Sequence, residues 1–297
     1  MFKHLLVPLD GSKLAEAVLP AARAWAQRLH ARLTLLHITE KNAPATIHGE
    51  HHLASTREAE TYLAALADTL ARPGLAVQWH VHEAEASVAQ MIVDQAAELK
   101  TDLIMLNTHG SSGLREKLLG SIAQHVLHEG TVPVLLIRPQ RDTLPGERPI
   151  RNILLPLDGE RVHETALPVA IELAEVFGAA IHLVNVAPTA ETLTGPDSVP
   201  GMMLPNAMRA VLDLAQQGGV EYLQRVRATI PGATTADVAR GDPAKMIAAL
   251  AQKVNADLII MATHGRMGLD AFWSASVAPK VLHELAGPLL LVRTAER

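Results

Sequence analysis

Leu-Leu-Val-Pro-Leu-Asp-Gly at residues 5–11 returns as Ile-Leu-Leu-Pro-Leu-Asp-Gly at residues 153–159, and Leu19-Pro20 returns as Leu167-Pro168, each 148 residues on. A longer stretch repeats further along. Asp102 to Ser121 begins Asp-Leu-Ile-Met-Leu-Asn-Thr-His-Gly and ends Gly-Ser; Asp257 to Ser276, 155 residues later, keeps Thr-His-Gly in register and sets Ser276 where Ser121 stands. A chain of 297 residues has the length of two ordinary domains, and this pattern makes it one domain plan used twice. The offset grows because residues 188–205 form a longer, Pro- and Gly-rich counterpart of the equivalent loop, an insertion in the second copy. Residues 138–149 are polar, hold three prolines and Gly146, and show no apolar period, which marks a linker. The chain thus divides into domain 1 at 1–138, a linker at 139–149 and domain 2 at 150–297.

Inside the first copy, apolar runs that read as strands alternate with segments of helical period. The strands are His4–Leu9, Arg32–Ile38, Ala76–Val81, Leu103–Leu106 and Val132–Ile137. The first helix follows Ser12, a cap, with Leu14, Val18, Ala21, Trp25 and Leu29 on one face, and Pro20 should kink it or mark a late start. Further helices read over 55–71, 85–100 and 121–128, and residues 39–53 read as a polar loop. Strict β-α alternation predicts an α/β fold, each domain a doubly wound five-stranded parallel sheet flanked by helices. Forty-eight per cent apolar residues with only 3% aromatic fits such a core, built from Leu, Val, Ile and Ala.

A net charge of -5 supplies no general attraction to nucleic acid or an anionic membrane, and the absence of cysteine removes disulfides and thiol chemistry. The opening Met-Phe-Lys-His-Leu-Leu-Val-Pro-Leu-Asp is too short an apolar run for a signal peptide, and no stretch is long enough to span a bilayer. The expectation is a soluble cytoplasmic protein with no nucleic-acid or membrane partner.

In a doubly wound sheet, ligands bind beyond the carboxyl ends of the strands, where the winding reverses. Asp10 ends the first strand and Asn107 to Gly113 follow the fourth, so neighbouring first and fourth strands would set both at one crevice. The glycine turn and the helix start at Ser121 would then offer backbone N–H groups to an anion. Spacing excludes two nucleotide motifs: Asp10-Gly11-Ser12-Lys13-Leu14-Ala15 is no Gly-x-Gly-x-x-Gly, and a Walker A loop occurs nowhere.

Pro-Leu-Asp-Gly-Ser after the first strand, the x-x-His-Gly turn after the fourth and Gly-Ser opening the last helix resemble the universal stress protein (UspA-like) family, twice over nearly the whole chain. The resemblance implies a tandem member and, for the family's ATP-binding branch, the pattern Gly-x2-Gly-x9-Gly-Ser/Thr. In the first copy that pattern falls on Asn107, Gly110, Gly120 and Ser121; Asn replaces the first glycine and is the residue after Gly that best tolerates positive φ. In the second it falls on Ala262, Gly265, Ala275 and Ser276, two glycines short. By the same resemblance Pro8, Leu9, Asp10 and Ile38 line the adenine and ribose pocket, with Met105, Leu106, His109, Gly113 and Ile122 beside the motif. The second-copy equivalents are Pro156, Leu157, Asp158, Val186, Ile260, Met261, His264, Arg266 and Val277. The family turn Gly241-Asp242-Pro243 is intact in the second copy and is Ala86-Ser87-Val88 in the first.

These residues also have plainer roles open to them. Asp10 and Asp158 can cap helices, and His109 and His264 can serve as hydrogen-bonding groups in a turn. The cluster His48, Glu50, His51 and His52, with His80, His82 and Glu83, holds zinc-ligand types without a structural zinc spacing. Lys13, Arg115, Lys117 and Arg266 would steer phosphate or stay solvated. The function expected from the resemblance is a stress-response protein that binds ATP or a related adenine nucleotide, alone or with Mg2+, mainly in domain 1, and signals the bound state to a protein partner. No nucleophile or paired carboxylates emerge, so any ATP hydrolysis should be slow. The alternatives are a non-nucleotide scaffold with degenerate glycine turns and a hydrolase using His109. The two domains should pair through the strands at 132–137 and 289–292, and a homodimer of the whole chain remains open.

Overall fold

A computed structural model describes residues 2–40, 46–47, 49–53, 55–108, 120–138, 149–192, 205–232, 234–263, 277–285 and 287–294. In chain order the elements are β1 (His4–Pro8), α1 (Lys13–Glu16), α2 (Leu19–Leu29), β2 (Arg32–Thr39), β3 (Thr46–Ile47), β4 (Glu50–His51), α3 (Thr56–Leu70), β5 (Val77–Glu83), α4 (Val88–Glu98), β6 (Leu103–Asn107), α5 (Ser121–Glu129) and β7 (Val134–Ile137). The second copy supplies β8 (Asn152–Pro156), α6 (Ala166–Phe177), β9 (Ala180–Ala187), α7 (Pro205–Ala228), β10 (Thr234–Arg240), α8 (Pro243–Lys253), β11 (Leu258–Thr263), α9 (Val277–Glu284) and β12 (Leu289–Arg293). Two compact units result, and β12 groups with the first.

In the first unit the strands lie in the order β5-β2-β1-β6-β7-β12. All pair in parallel except β12, which runs antiparallel to β7 with Leu289 opposite Leu136 and Leu291 opposite Val134. The chain winds outward from β1 through β2 to β5, then returns to β6 on β1's other side, so the reversal falls between β1 and β6. In the second unit the order is β10-β9-β8-β11, all parallel, with the same reversal between β8 and β11. The fold is the α/β, doubly wound architecture that the alternation predicts.

The repeats share devices that set strand register. Asp102, just ahead of β6, accepts hydrogen bonds from the backbone N–H of Lys3 (2.7 Å) and of His4 (3.0 Å), while Asp257 ahead of β11 accepts from Arg151 (2.8 Å) and Asn152 (3.0 Å). Each charged acceptor pins the start of the strand beside it, which explains why Asp-Leu-Ile recurs. Tyr62 on α3 and Tyr222 on α7 likewise donate to Glu16 (3.2 Å) and Glu164 (3.1 Å), tying the third layer of each repeat to the turn after its first strand. Pro20 is the second residue of α2 and starts the helix rather than kinking it. The preceding turn is separate: α1, capped by Ser12 Oγ accepting from Ala15 N–H.

The loop at 39–53 carries a small antiparallel pair, β3 with β4, that no periodicity announces. It is fastened over α1 by Glu50 Oε2, which accepts from Lys13 N–H at 2.7 Å, and by buried Leu53 against Gly11. Gly11 has φ +90°, and a Cβ there would lie 2.8 Å from Leu53 Cγ; Gly159, at φ +94°, faces open space. Gly159→Ala is therefore expected to cost only backbone strain, about 1–2 kcal/mol, whereas Gly11→Ala adds about 1–3 kcal/mol of overpacking. Denaturant titration of the two variants checks the difference; equal losses would show that Leu53 yields freely.

Candidate nucleotide site

At the reversal point of the first unit, the carboxyl ends of β1, β2 and β6 and the starts of α1, α4 and α5 surround one pocket. Its walls include Pro8, Leu9, Asp10, Leu14, Ile38, Val88, Ile92, Leu106, Asn107, Ile122 and Ala123, with His37, Glu40 and His52 supplying polar groups. It encloses about 110 Å³ and opens to solvent at its mouth. The walls are mainly aliphatic because the strand ends are, and α5 enters at the rim with Gly120, which has no side chain to cap with, at its N-cap. The N–H groups of a helix start favour an anion.

Of the residues singled out in the first copy, the pocket gathers Pro8, Leu9, Asp10, Ile38, Leu106, Asn107 and Ile122. Met105 is not among its walls: it is fully buried in β6. Gly120 and Ser121 sit at the cap and first residue of α5. His109, Gly110 and Gly113 lie outside the described residues, as do Arg115, Lys117 and His48.

Asn107 corrects the reason given for it. It is the last residue of β6, paired with Ile137, and is absent from the described non-glycine residues with positive φ. It earns its place through its side chain. Nδ2 donates to the carbonyls of Leu14 and Ala15, anchoring α1 to the sheet, and Oδ1 is buried without a partner.

Asp10 Oδ1 accepts from Ser12 N–H at 2.9 Å and Ser12 Oγ–H at 2.6 Å, so it shapes the turn as well as lining the pocket. Lys13 points its ammonium at Glu16, 2.8 Å away, and not at the pocket. In the histidine-rich loop, His51 pairs with Glu58 at 2.8 Å, while His80 and His82 stack on β5. Among the described residues no three His, Asp or Glu side chains group closely enough to hold a metal ion, and no helix is long and apolar enough to cross a membrane.

Sequence reasoning passed over His37. It sits mid-strand in an apolar run, 1% exposed, and its Nδ1 bonds the Leu9 carbonyl at 2.8 Å. The signal was there in the repeat: Asn185, 148 residues on, makes the same bond from Nδ2 to the Leu157 carbonyl at 2.8 Å. Burial lowers the pKa of His37, and nearby His52 lowers it further, against the raising influence of the Leu9 carbonyl, Asp10 and Glu40. The ring is neutral near pH 7.

In the second unit, Pro156 ends β8, Leu157 is held by Asn185, and Asp158 is turned into its own loop, with Oδ1 accepting from Glu160 N–H (3.0 Å) and Oδ2 2.5 Å from His163 Nδ1. Val186 lies on β9, Ile260, Met261 and Ala262 on β11, and Val277 opens α9. His264, Gly265, Arg266, Ala275 and Ser276 lie outside the described residues.

The model of the Universal stress protein family matches this chain twice, over residues 1–138 and 149–293. The chain is 33% identical over 144 residues to Universal stress protein A homolog 1 of Coxiella burnetii, spanning 46% of this chain and 96% of that one. It is 31% identical over 150 residues to Universal stress protein YxiE of Bacillus subtilis, spanning 46% of this chain and 100% of that one. Among solved structures, a universal stress protein from Archaeoglobus fulgidus covers 99% of this chain and 97% of its own at a TM-score of 0.68 and 16% identity, a likeness of fold.

Proposed function

Because the chain belongs to the universal stress protein family, matched by its model over both copies, we propose that its first unit is a receptor for an adenine nucleotide, ATP or a close relative. The observation that carries this reading is the pocket at the β1/β6 reversal, aliphatic enough for a base and sugar, with the start of α5 at its rim for phosphate. Mg2+ would enter with the triphosphate, since no described cluster of ligands holds a metal of its own.

Binding rather than turnover is the role these residues fit. Ser12 Oγ donates to the Asp10 carboxylate at 2.6 Å and accepts from Ala15 N–H, and the residue is fully buried. It is spent on the turn and is no nucleophile. The nucleotide instead touches the ends of β1, β2, β6, α4 and α5 together, and favours whichever arrangement it binds more tightly. A protein partner in the cytoplasm would read that arrangement as a stress signal.

One observation favours the scaffold reading: Asn107 stands at the first glycine position with its amide engaged by Leu14 and Ala15. Purified chain probed by mass spectrometry for carried nucleotide, then titrated with ATP by calorimetry, separates the two. Bound adenine nucleotide or a saturable heat is expected; neither carried nucleotide nor heat would leave the scaffold.

A further inference from the structure

His37 and His52 are buried side by side in the pocket wall, 1% and 2% exposed, with ring centroids 6.3 Å apart. Each has one ring nitrogen with no hydrogen-bond partner: Nε2 of His37 and Nδ1 of His52. Two unpaired buried polar atoms at one place are costly and need a partner that the protein does not supply. Nothing in the turn or strand architecture requires them, for the second repeat fastens the same Leu carbonyl with an asparagine.

The tautomer of His37 is fixed by the chain. A carbonyl oxygen only accepts, so the 2.8 Å bond to Leu9 O places the proton on Nδ1 and leaves Nε2 as an acceptor. His52 is under no such constraint at Nδ1, which can carry the proton. The pair therefore presents a fixed acceptor beside a nitrogen able to donate. This is the complement of the amino-purine edge, where the exocyclic N–H donates and the adjoining ring nitrogen accepts. A 6-oxopurine reverses both: its oxygen would face the lone pair of His37, which can answer only by giving up the Leu9 bond or by protonation, and burial opposes the latter.

We propose that His37, with His52 beside it, reads the six-position of the bound base and makes this pocket selective for 6-aminopurine over 6-oxopurine nucleotides. The proposal rests on the nucleotide reading above and deepens it by naming what sets the base. In the bound state the base takes up the two unpaired nitrogens, with the ring of His52 adjusting on its loop to admit it.

The test compares ATP with ITP, which differ only at this edge, by calorimetry on the full chain and on His37→Asn. That variant is chosen because Asn185 already makes the equivalent backbone bond in the second unit. The wild-type chain is expected to bind ATP at least ~10-fold more tightly than ITP, as sites with a mismatched buried hydrogen bond discriminate, and in His37→Asn the ratio should fall to within about 3-fold. Independently of any variant, nitrogen NMR of the His37 ring should show an unprotonated Nε2 in the free chain that shifts when ATP is added. Equal binding of ATP and ITP by the wild-type chain, or a protonated Nε2, overturns the proposal and leaves nucleotide binding intact. Binding of neither nucleotide overturns both.

Discussion

A chain ending at Gly287 is expected to lose the fold of its first unit. The strand removed, β12, pairs antiparallel with β7 and buries Leu289, Leu290, Leu291 and Val292, exposed by 0%, 0%, 2% and 6%. Each fully buried aliphatic side chain contributes about 1.5–3 kcal/mol, an upper estimate because an unfolded chain already hides some of this surface. Four of them rival the roughly 5–15 kcal/mol that holds an ordinary domain together. A second loss compounds the first. Arg293 donates from Nε to the Gly130 carbonyl at 2.7 Å and from Nη2 to that of His128 at 3.1 Å, satisfying the open end of α5, the helix that opens at the pocket rim. Without β12, the edge of β7 presents Val134-Leu135-Leu136-Ile137 to solvent, a short apolar edge prone to intermolecular pairing. Hydrogen exchange followed by mass spectrometry should find residues 103–107 and 134–137 unprotected, or the protein aggregated, in the truncated chain. Full protection of those strands would show that β12 adds nothing to the first unit.

How far the sequence reveals this molecule depends on the range of the interaction concerned. Pro8-Leu9-Asp10 was legible because a strand end declares itself locally: an apolar run stops at residues that cannot continue it, and the repetition at Pro156-Leu157-Asp158 confirms the punctuation. Alternation implies a doubly wound sheet but leaves the strand order open, and it is the pairing of β1 with β6 that sets Asp10 and Asn107 at one pocket. Asn107 itself was misread, since its identity was explained by local φ when its amide in fact answers Leu14 and Ala15, more than ninety positions away in sequence. No local pattern encodes that partner. His37 was hidden differently: within an apolar strand, a histidine carries no periodic signal, and only the bond to Leu9 reveals that one nitrogen is committed and the other left over. The pair β3–β4 is two residues a side, too short for any period to register. β7 and β12 look alike as sequence, Val-Leu-Leu-Ile against Leu-Leu-Leu-Val-Arg, and each reads as the fifth strand of its own repeat. The family resemblance implies that these two strands meet, and β12 runs antiparallel to β7.

Ile122→Trp is expected to abolish measurable nucleotide binding, raising the Kd for ATP at least ~100-fold, while the melting temperature shifts little. Ile122 is the second residue of α5 and is half-buried in the pocket wall, outside the buried core, so enlarging it costs the core little. An indole there takes up the space between Ile38 on β2 and Asn107 on β6, where the reading above sets the ligand, and it crowds the helix start that would face phosphate. Loss of the ligand's burial and of its anion contact together amounts to several kcal/mol, and each 1.4 kcal/mol is a factor of ten in Kd. The matched substitution in the second unit, Val277→Trp, sits at the first residue of α9 and serves as the control. Since both copies share strand order and turn, calorimetry on the two variants separates which of them holds nucleotide. Binding lost in Ile122→Trp and kept in Val277→Trp assigns it to the first unit. The reverse pattern would move the site to the second copy, and unchanged ATP binding in Ile122→Trp would remove the β1/β6 pocket as its location.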